Sequence, residues 1–227
     1  MTANRMPERK VLCTSATGPF ADLLKVSLPT FESYARRHQW DVFVGTEDRA
    51  DGRPTSWAKV PLISELLGRY DLLMWVDADA VIVDESVDLA SELRRRKHLY
   101  LVEHQHAPTG EVTANAGVMM LRAGRWTQRL LAAIWAQADL IDHRWWENAA
   151  LMRLLGYRID PQPAARIRRT RWLKRVQFLD VAWNSMPHWH GSPTPRITHY
   201  ASLPLEERRR RMLADAAGAQ WREGRFP

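Results

Sequence analysis

Residues 71–84 read DLLMWVDADAVIVD, and the reading of this stretch decides the fold. Leu72, Leu73, Met74, Trp75 and Val76 form an unbroken apolar run, the pattern of a short strand covered on both faces. Asp77 and Asp79 follow at once, separated by Ala78 alone, and Ala80, Val81, Ile82 and Val83 restore the apolar character. In open α/β sheets, ligands collect at the carboxyl ends of strands. Ionised carboxylates in such a place are costly unless they are paired or hold a metal. Two carboxylates offer hard oxygen donors, which suit Mn2+ or Mg2+. An ion held there would bridge a diphosphate and neutralise one that departs. The apolar flanks speak against a plain surface turn.

Working outward, the neighbouring segments alternate between strand and helix. Residues 10–15 (KVLCTS) form a first strand. Phe20, Leu23, Leu24, Leu28, Phe31, Tyr34 and Ala35 then recur at helical spacing, with Pro29 expected to kink or divide that helix. Residues 41–45 (DVFVG) form a second strand and 46–55 a polar loop. A helix starting near Thr55 or Ser56 carries Trp57, Val60, Ile63, Leu66 and Leu67 on one face, with Pro61 weakening its first turns. After the acidic pair come a short helix over 89–95, a strand over 98–103 and a loop over 104–114. A strand over 116–121 then leads into a helix carrying Trp126, Leu130, Leu131, Ile134 and Trp135. Another helix begins near Trp145. The tail offers a strand candidate over 176–182 and a basic helix from about Leu205. The early order, strand–helix–strand–helix–strand, is that of a doubly wound α/β sheet. The turn after the first strand, TSATGPF, has one glycine, which argues against a nicotinamide-binding fingerprint.

Composition narrows the class. The chain has 227 residues, 45% hydrophobic and 26% charged, enough for one domain with a substantial core. No apolar run is long enough to span a bilayer, and MTANRMPERK lacks the apolar segment of an export signal. The lone Cys13 forbids an internal disulfide. These features lead to the expectation of a cytoplasmic protein without a transmembrane segment. The excess of 33 basic over 26 acidic residues gives +7, and six basic residues fall within 166–175.

Four segments, WAKVPLISELLGRYDLLMWVDADAVIVD, NAGVMMLRAG, WWENAALMRLLGY and RITHYASLP, stand in the order found in GT-A glycosyltransferases. Over residues 10–203 the chain most resembles the galactosyl-, mannosyl- and xylosyltransferase family of fungi and plants, which includes the xyloglucan xylosyltransferases. The resemblance implies a single GT-A (nucleotide-diphospho-sugar transferase) domain over 1–227, with a Rossmann-like, mostly parallel central sheet flanked by helices. It implies transfer from a nucleotide-sugar donor, usually UDP-linked, to a small-molecule or glycan acceptor. It further implies a divalent ion, Mn2+ or Mg2+, and retention of anomeric configuration. The metal ligands would be Asp77, Asp79 and His199, with His188 and His190 as rivals for the third place. Asp77 would also touch the donor, together with Lys59, Asn115, Gly117 and, at the end of the first strand, Thr14 and Ser15. Glu147 and Asn148 match the family's acid and glutamine at a helix start. Glu147 would then orient donor hydroxyls, and Asn148 would face the anomeric carbon with a shorter amide. The family's glycine and lysine after the late histidine are replaced by Ala201, Ser202 and Leu203; Arg208 or the 166–175 run is the available substitute for that lysine. The loop over 104–114 and the pairs Trp145/Trp146 and Trp183/Trp189 are expected to shape the acceptor site.

Two other classes fit parts of the sequence. A nucleotidyl- or phosphotransferase could use Asp77 and Asp79 for two-metal chemistry, but no phosphate-gripping glycine loop is present. A basic nucleic-acid-binding module could use the late arginines with Trp172 and Trp183 as stacking platforms. The glycosyltransferase reading expects no nucleic-acid partner.

Overall fold

A computed structural model describes residues 8–222. Residues 1–7, most of the segment read above as lacking an export signal, lie outside the described residues. The first elements follow the expected alternation: β1 (Lys10–Ser15), α1 (Phe20–His38), β2 (Asp41–Gly45), α2 (Lys59–Leu66) and β3 (Leu72–Val76). Next come β4 (Ala80–Ile82), β5 (Leu99–His106), β6 (Glu111–Arg122), α3 (Arg125–Trp135) and α4 (Trp146–Leu155). The chain closes with β7 (Tyr157–Arg158), β8 (Ala165–Arg166), β9 (Val176–Leu179), β10 (Ile197–His199) and α5 (Leu205–Arg222).

Six strands form the central sheet in the order β2-β1-β3-β6-β5-β9. β6 pairs antiparallel with both β3 and β5, whereas the other neighbours are parallel, so five strands run one way and β6 runs against them. Side-chain alternation along β3 divides the core between the two faces. Leu73 and Trp75 join Trp57, Ile63, Leu130 and Leu151 under α2, α3 and α4. Leu72, Met74 and Val76 join Phe31, Tyr34 and Trp183 on the α1 side. All five β3 residues are buried, as their unbroken apolar run requires.

Several expectations are corrected. Pro29 lies inside α1 without dividing it. Burial of Leu23, Leu24, Phe31, Tyr34 and Ala35 outweighs the roughly 3 kcal/mol that an interior proline costs. Pro61 falls in the first turn of α2, after a 3₁₀ turn over Thr55–Ala58, where its missing N–H has no intrahelical acceptor to lose. The expected helix over 89–95 is a single 3₁₀ turn, Leu89–Glu92, capped by the Asp88 side chain. The expected loop over 104–114 is largely the tip of a hairpin, because β5 reaches His106 and β6 begins at Glu111. The strand candidate over 176–182 stops at Leu179, and Asp180 caps a 3₁₀ turn over Val181–Asn184.

Two features of this frame set up the site. Along β6 the register with β5 jumps from Met119 opposite Leu101 to Asn115 opposite Val102. Residues 116–118 thus bulge out of that ladder beside the end of β3, the kind of place where bulges re-aim backbone groups. β4 pairs antiparallel with β10, placing His199 opposite Ala80. That short ladder carries the late histidine to the acidic pair.

Candidate active site at the end of β3

Asp77 lies just past β3, and its N–H donates to the Gly117 carbonyl on the β6 bulge at 2.8 Å. One carboxylate oxygen of Asp77 is fully engaged. Oδ1 accepts from Trp75 Nε1 at 2.6 Å and from Lys59 Nζ at 2.9 Å. Its Oδ2 faces His199 Nε2 at 3.9 Å. Asp79 is buried, with Oδ1 3.3 Å from His199 Nε2 and Oδ2 2.7 Å from Arg208 Nη1. Burial acts to raise the Asp79 pKa, but a protonated His199 ring and then Arg208 outweigh it and hold the carboxyl below the usual range. One ligand atom from each of Asp77, Asp79 and His199 falls within 4.8 Å of the others.

The tautomer of His199 follows from a chain of hydrogen bonds that starts on the backbone. Gly117 N–H can only donate, and it donates to Asn115 Oδ1 at 2.8 Å. Asn184 Nδ2 donates to the same oxygen at 2.9 Å, so Asn184 must turn its Oδ1 the other way. That oxygen accepts from His199 Nδ1 at 3.0 Å, so Nδ1 carries the proton. In the neutral ring, Nε2 then presents a lone pair to two carboxylate oxygens. Three lone-pair donors facing one another require a cation or a proton between them. Metal-binding histidines are commonly fixed in this way, by an oxygen that accepts the proton of the other ring nitrogen. Two carboxylates and one imidazole fit Mn2+ or Mg2+, with the nitrogen favouring Mn2+.

Gly117 is explained by the same geometry. A Cβ there would lie 2.1 Å from His199 Cε1 and 2.9 Å from Asn115 Oδ1. The missing side chain makes room for the histidine ring. Of the rival ligands, His190 Nδ1 accepts from the Gln105 backbone N–H at 3.3 Å, and neither it nor His188 joins the Asp–Asp–His group.

Lys59 is buried at the start of α2 and bridges Asp77 and Glu147, with Nζ 2.9 Å from each carboxylate. Burial acts to lower its pKa, but the two acids overcome this and hold the ammonium charged. Glu147 is buried too; burial pushes its carboxyl up, against the pull of Lys59, and Asp77 adds to the rise. Asn148, half-buried on α4, accepts the Ala116 N–H at 2.9 Å through its Oδ1, and its Nδ2 contacts Met152 Sδ. The β6 bulge frees the Ala116 N–H for this bond. Thr14 is buried at the end of β1, and its hydroxyl has no partner among the described residues. Ser15 lies opposite Gly45 of β2, where a Cβ would lie 2.7 Å from Leu62 Cδ2.

The structure thus gathers Lys59, Asp77, Asp79, Asn115, Gly117, Glu147, Asn148 and His199, with Thr14 and Ser15 at the carboxyl end of β1. Sequence reasoning missed Asn184, fully buried in an irregular segment, and the role of Trp75 as a donor to Asp77. It named Arg208 without placing it. The expected aromatic platforms divide. Trp183 is 2% exposed and Trp172 is 8% exposed, so neither offers a stacking face, and the nucleic-acid reading loses both of its platforms. Trp146 is 44% exposed, immediately before Glu147.

The sheet, with its one reversed strand and the acidic pair at the end of β3, is that of the GT-A glycosyltransferases. Within that class the chain resembles one family in sequence: residues 21–112 match the model of the galactosyl transferase GMA12/MNN10 family. Among solved structures, the chain resembles a glycosyltransferase involved in glycosylation of the major capsid of PBCV-1. The two share 13% identity and a TM-score of 0.63, over 90% of this chain and 98% of that one. The galactosyltransferase LgtC, solved with donor and acceptor sugar analogues, aligns at 13% identity and a TM-score of 0.58, over 94% and 99% of the two chains. Mouse xyloside xylosyltransferase 1 aligns at 10% identity and a TM-score of 0.51, over 86% and 99%. No curated protein matches the chain in sequence. Among the described residues, no helix is long and apolar enough to cross a membrane.

Proposed function

We propose that this protein is a single-domain, metal-dependent retaining glycosyltransferase that takes its sugar from a UDP-linked donor. The observation that carries the reading is the convergence of Asp77 Oδ2, Asp79 Oδ1 and a His199 Nε2 whose lone pair is directed by Asn184. A divalent ion on these three atoms, Mn2+ on the chemistry of the donor set, would bind the donor diphosphate and stabilise it as it leaves. Thr14 and Ser15, at the end of β1, lie where the nucleotide of such a donor would rest. Asn115 and Gly117 form the wall beside the sugar.

Retention is favoured by how the carboxylates are employed. An inverting enzyme needs a carboxylate free to deprotonate the acceptor hydroxyl. Asp77 and Asp79 point to the metal position, and Glu147 is buried against Lys59. In the retaining course, the leaving diphosphate accepts the acceptor's proton on the face from which it departs. Asn148 Oδ1, already accepting the Ala116 N–H, then has one lone pair left to set beside the developing positive charge. Trp146 supplies an exposed aromatic face for an acceptor, small molecule or glycan.

The test is a melting experiment with Mn2+, with UDP and with both. Both together should raise the melting temperature well beyond either alone; ligand at about 100 times its Kd adds roughly 2.7 kcal/mol. Equal UDP binding in EDTA would refute the metal site. With a donor found by screening UDP-sugars, the coupling constant across the new glycosidic bond reads the stereochemistry. A β-linked product from an α-linked donor would exclude retention.

A further inference from the structure

Residues 208–211 are four consecutive arginines, yet only one of them turns inward. Arg210 and Arg211 pair with Glu207 on the surface of α5, and Arg209 is exposed. Arg208 shares its helix face with Met212 and Ala216, four and eight residues on, both buried. Its side chain is 10% exposed. Nη1 holds Asp79 Oδ2 at 2.7 Å, Nη2 donates to the Leu203 carbonyl at 2.9 Å, and the guanidinium lies 5.3 Å from the Phe20 ring. The guanidinium is therefore anchored on two further sides and is not held by Asp79 alone. It also leaves Asp79 Oδ1 free to face His199.

The charges of the site follow. Counted as ions, the carboxylates of Asp77, Asp79 and Glu147 bring three negative charges against the two positive ones of Lys59 and Arg208, and His199 adds none when its Nε2 lone pair is offered to a metal. The cluster is left with one net negative charge to offer a divalent ion. An ion on Asp79 Oδ1 would share that carboxylate with a fixed guanidinium. In a buried pocket the repulsion between the two cations is poorly screened. We propose that Arg208 is a built-in counter-cation. Fixed against Asp79 Oδ2, it holds the affinity for a lone divalent ion low until a diphosphate arrives to offset the added charge. Metal and donor binding thereby become interdependent. This rests on the reading of Asp77, Asp79 and His199 as the metal site.

The experiment is calorimetric titration of Mn2+ into the full chain, with and without saturating UDP, for wild type, Arg208→Gln and Arg208→Lys. Glutamine keeps a hydrogen-bond donor near Asp79 and removes the charge; lysine keeps the charge. Arg208→Gln should bind Mn2+ alone about fivefold tighter or more, and the gain in Mn2+ affinity conferred by UDP should shrink by a similar factor. Arg208→Lys should stay near wild type in both. An arginine that merely braces the fold gives the opposite sign, weaker Mn2+ binding in Arg208→Gln, and that result or an unchanged affinity overturns the proposal while leaving the metal site standing. Should Arg208→Gln fail to fold, wild type still decides: UDP must raise Mn2+ affinity about tenfold or more, and independent binding overturns the proposal. A wild type that binds no Mn2+ even with UDP removes the metal site and the proposal together.

Discussion

Asp77 and Asp79 are two residues apart, yet the positive charges that answer them come from opposite directions along the chain and from very different distances. Lys59 precedes Asp77 by 18 residues, whereas Arg208 follows Asp79 by 129. The first pair lies within the stretch that matches the family model, on a helix and strand that adjoin in sequence. The second depends on β10 pairing with β4 and on α5 packing over α1 and β4. Asp77 is thus held by local structure, and Asp79 and its histidine by long-range assembly. The difference teaches that the acidic pair is one motif in sequence and two constructions in space.

The comparison can be broken from its distal side, where the largest effects are expected. His199→Ala and Asp79→Asn should each abolish turnover and Mn2+-dependent UDP binding, while ligand-free melting shows a folded chain. Full activity in His199→Ala, with loss in His188→Ala or His190→Ala, would move the third ligand. Gly117→Ala should come next, because a methyl group there meets the His199 ring at 2.1 Å. Titration should find Mn2+ binding weakened to nearly the same extent, and a variant that binds as wild type would refute the close approach. Asn184→Ala leaves the ligands in place but releases the imidazole; loss of a hydrogen-bond partner behind a metal ligand costs about 10–100-fold in metal affinity. On the proximal side, Lys59→Met should affect Mn2+ less than Asn184→Ala does, since Asp77 keeps its bond from Trp75.

The smallest effect concerns stability against pH. His104 is fully buried, and burial, with His190 and His199 nearby, pushes its pKa down to about 3. The unfolded chain protonates this group near its ordinary value of about 6.5. Below that pH the unfolded state binds a proton that the folded state refuses, so stability falls from about pH 6.5 toward pH 3. Urea denaturation of wild type and His104→Gln across this range should show a shallower acid loss in the variant. Parallel curves would refute the burial account.

The sequence made the proximal construction legible and the distal one only in part. The apolar run 72–76 is too short for a helix and reads as a buried strand, and the acids beyond it fall at the ligand-binding edge. His199 was reached through the resemblance, since no periodicity surrounds it. Asn184 carries no signal in VAWNSMP: its partners lie 69 and 15 residues away, and its segment is a 3₁₀ turn. The inward turn of Arg208 was hidden by three arginines that face solvent. The β6 bulge was invisible because the apolar pattern of residues 116–121 fits a regular strand equally well. The hairpin over 104–114 was missed because its polar residues resemble those of a loop.

Asp79 is also a fastening point for the end of the chain. Its carbonyl accepts the Tyr200 N–H at 3.1 Å, its carboxylate holds Arg208, and beside it β4 and β10 share only three registered pairs. So short a ladder has little cooperativity of its own. Local opening is therefore expected first over residues 197–222, while the six-stranded sheet persists. Such an opening would uncover Asp79 and carry His199 away from Asp77, closing off the chemistry without unfolding the core. Amide hydrogen exchange would record it as a shared, faster rate across residues 197–200 and α5. A ligand that spans Asp77 and His199 would act as a clasp, slowing those amides far more than those of β3.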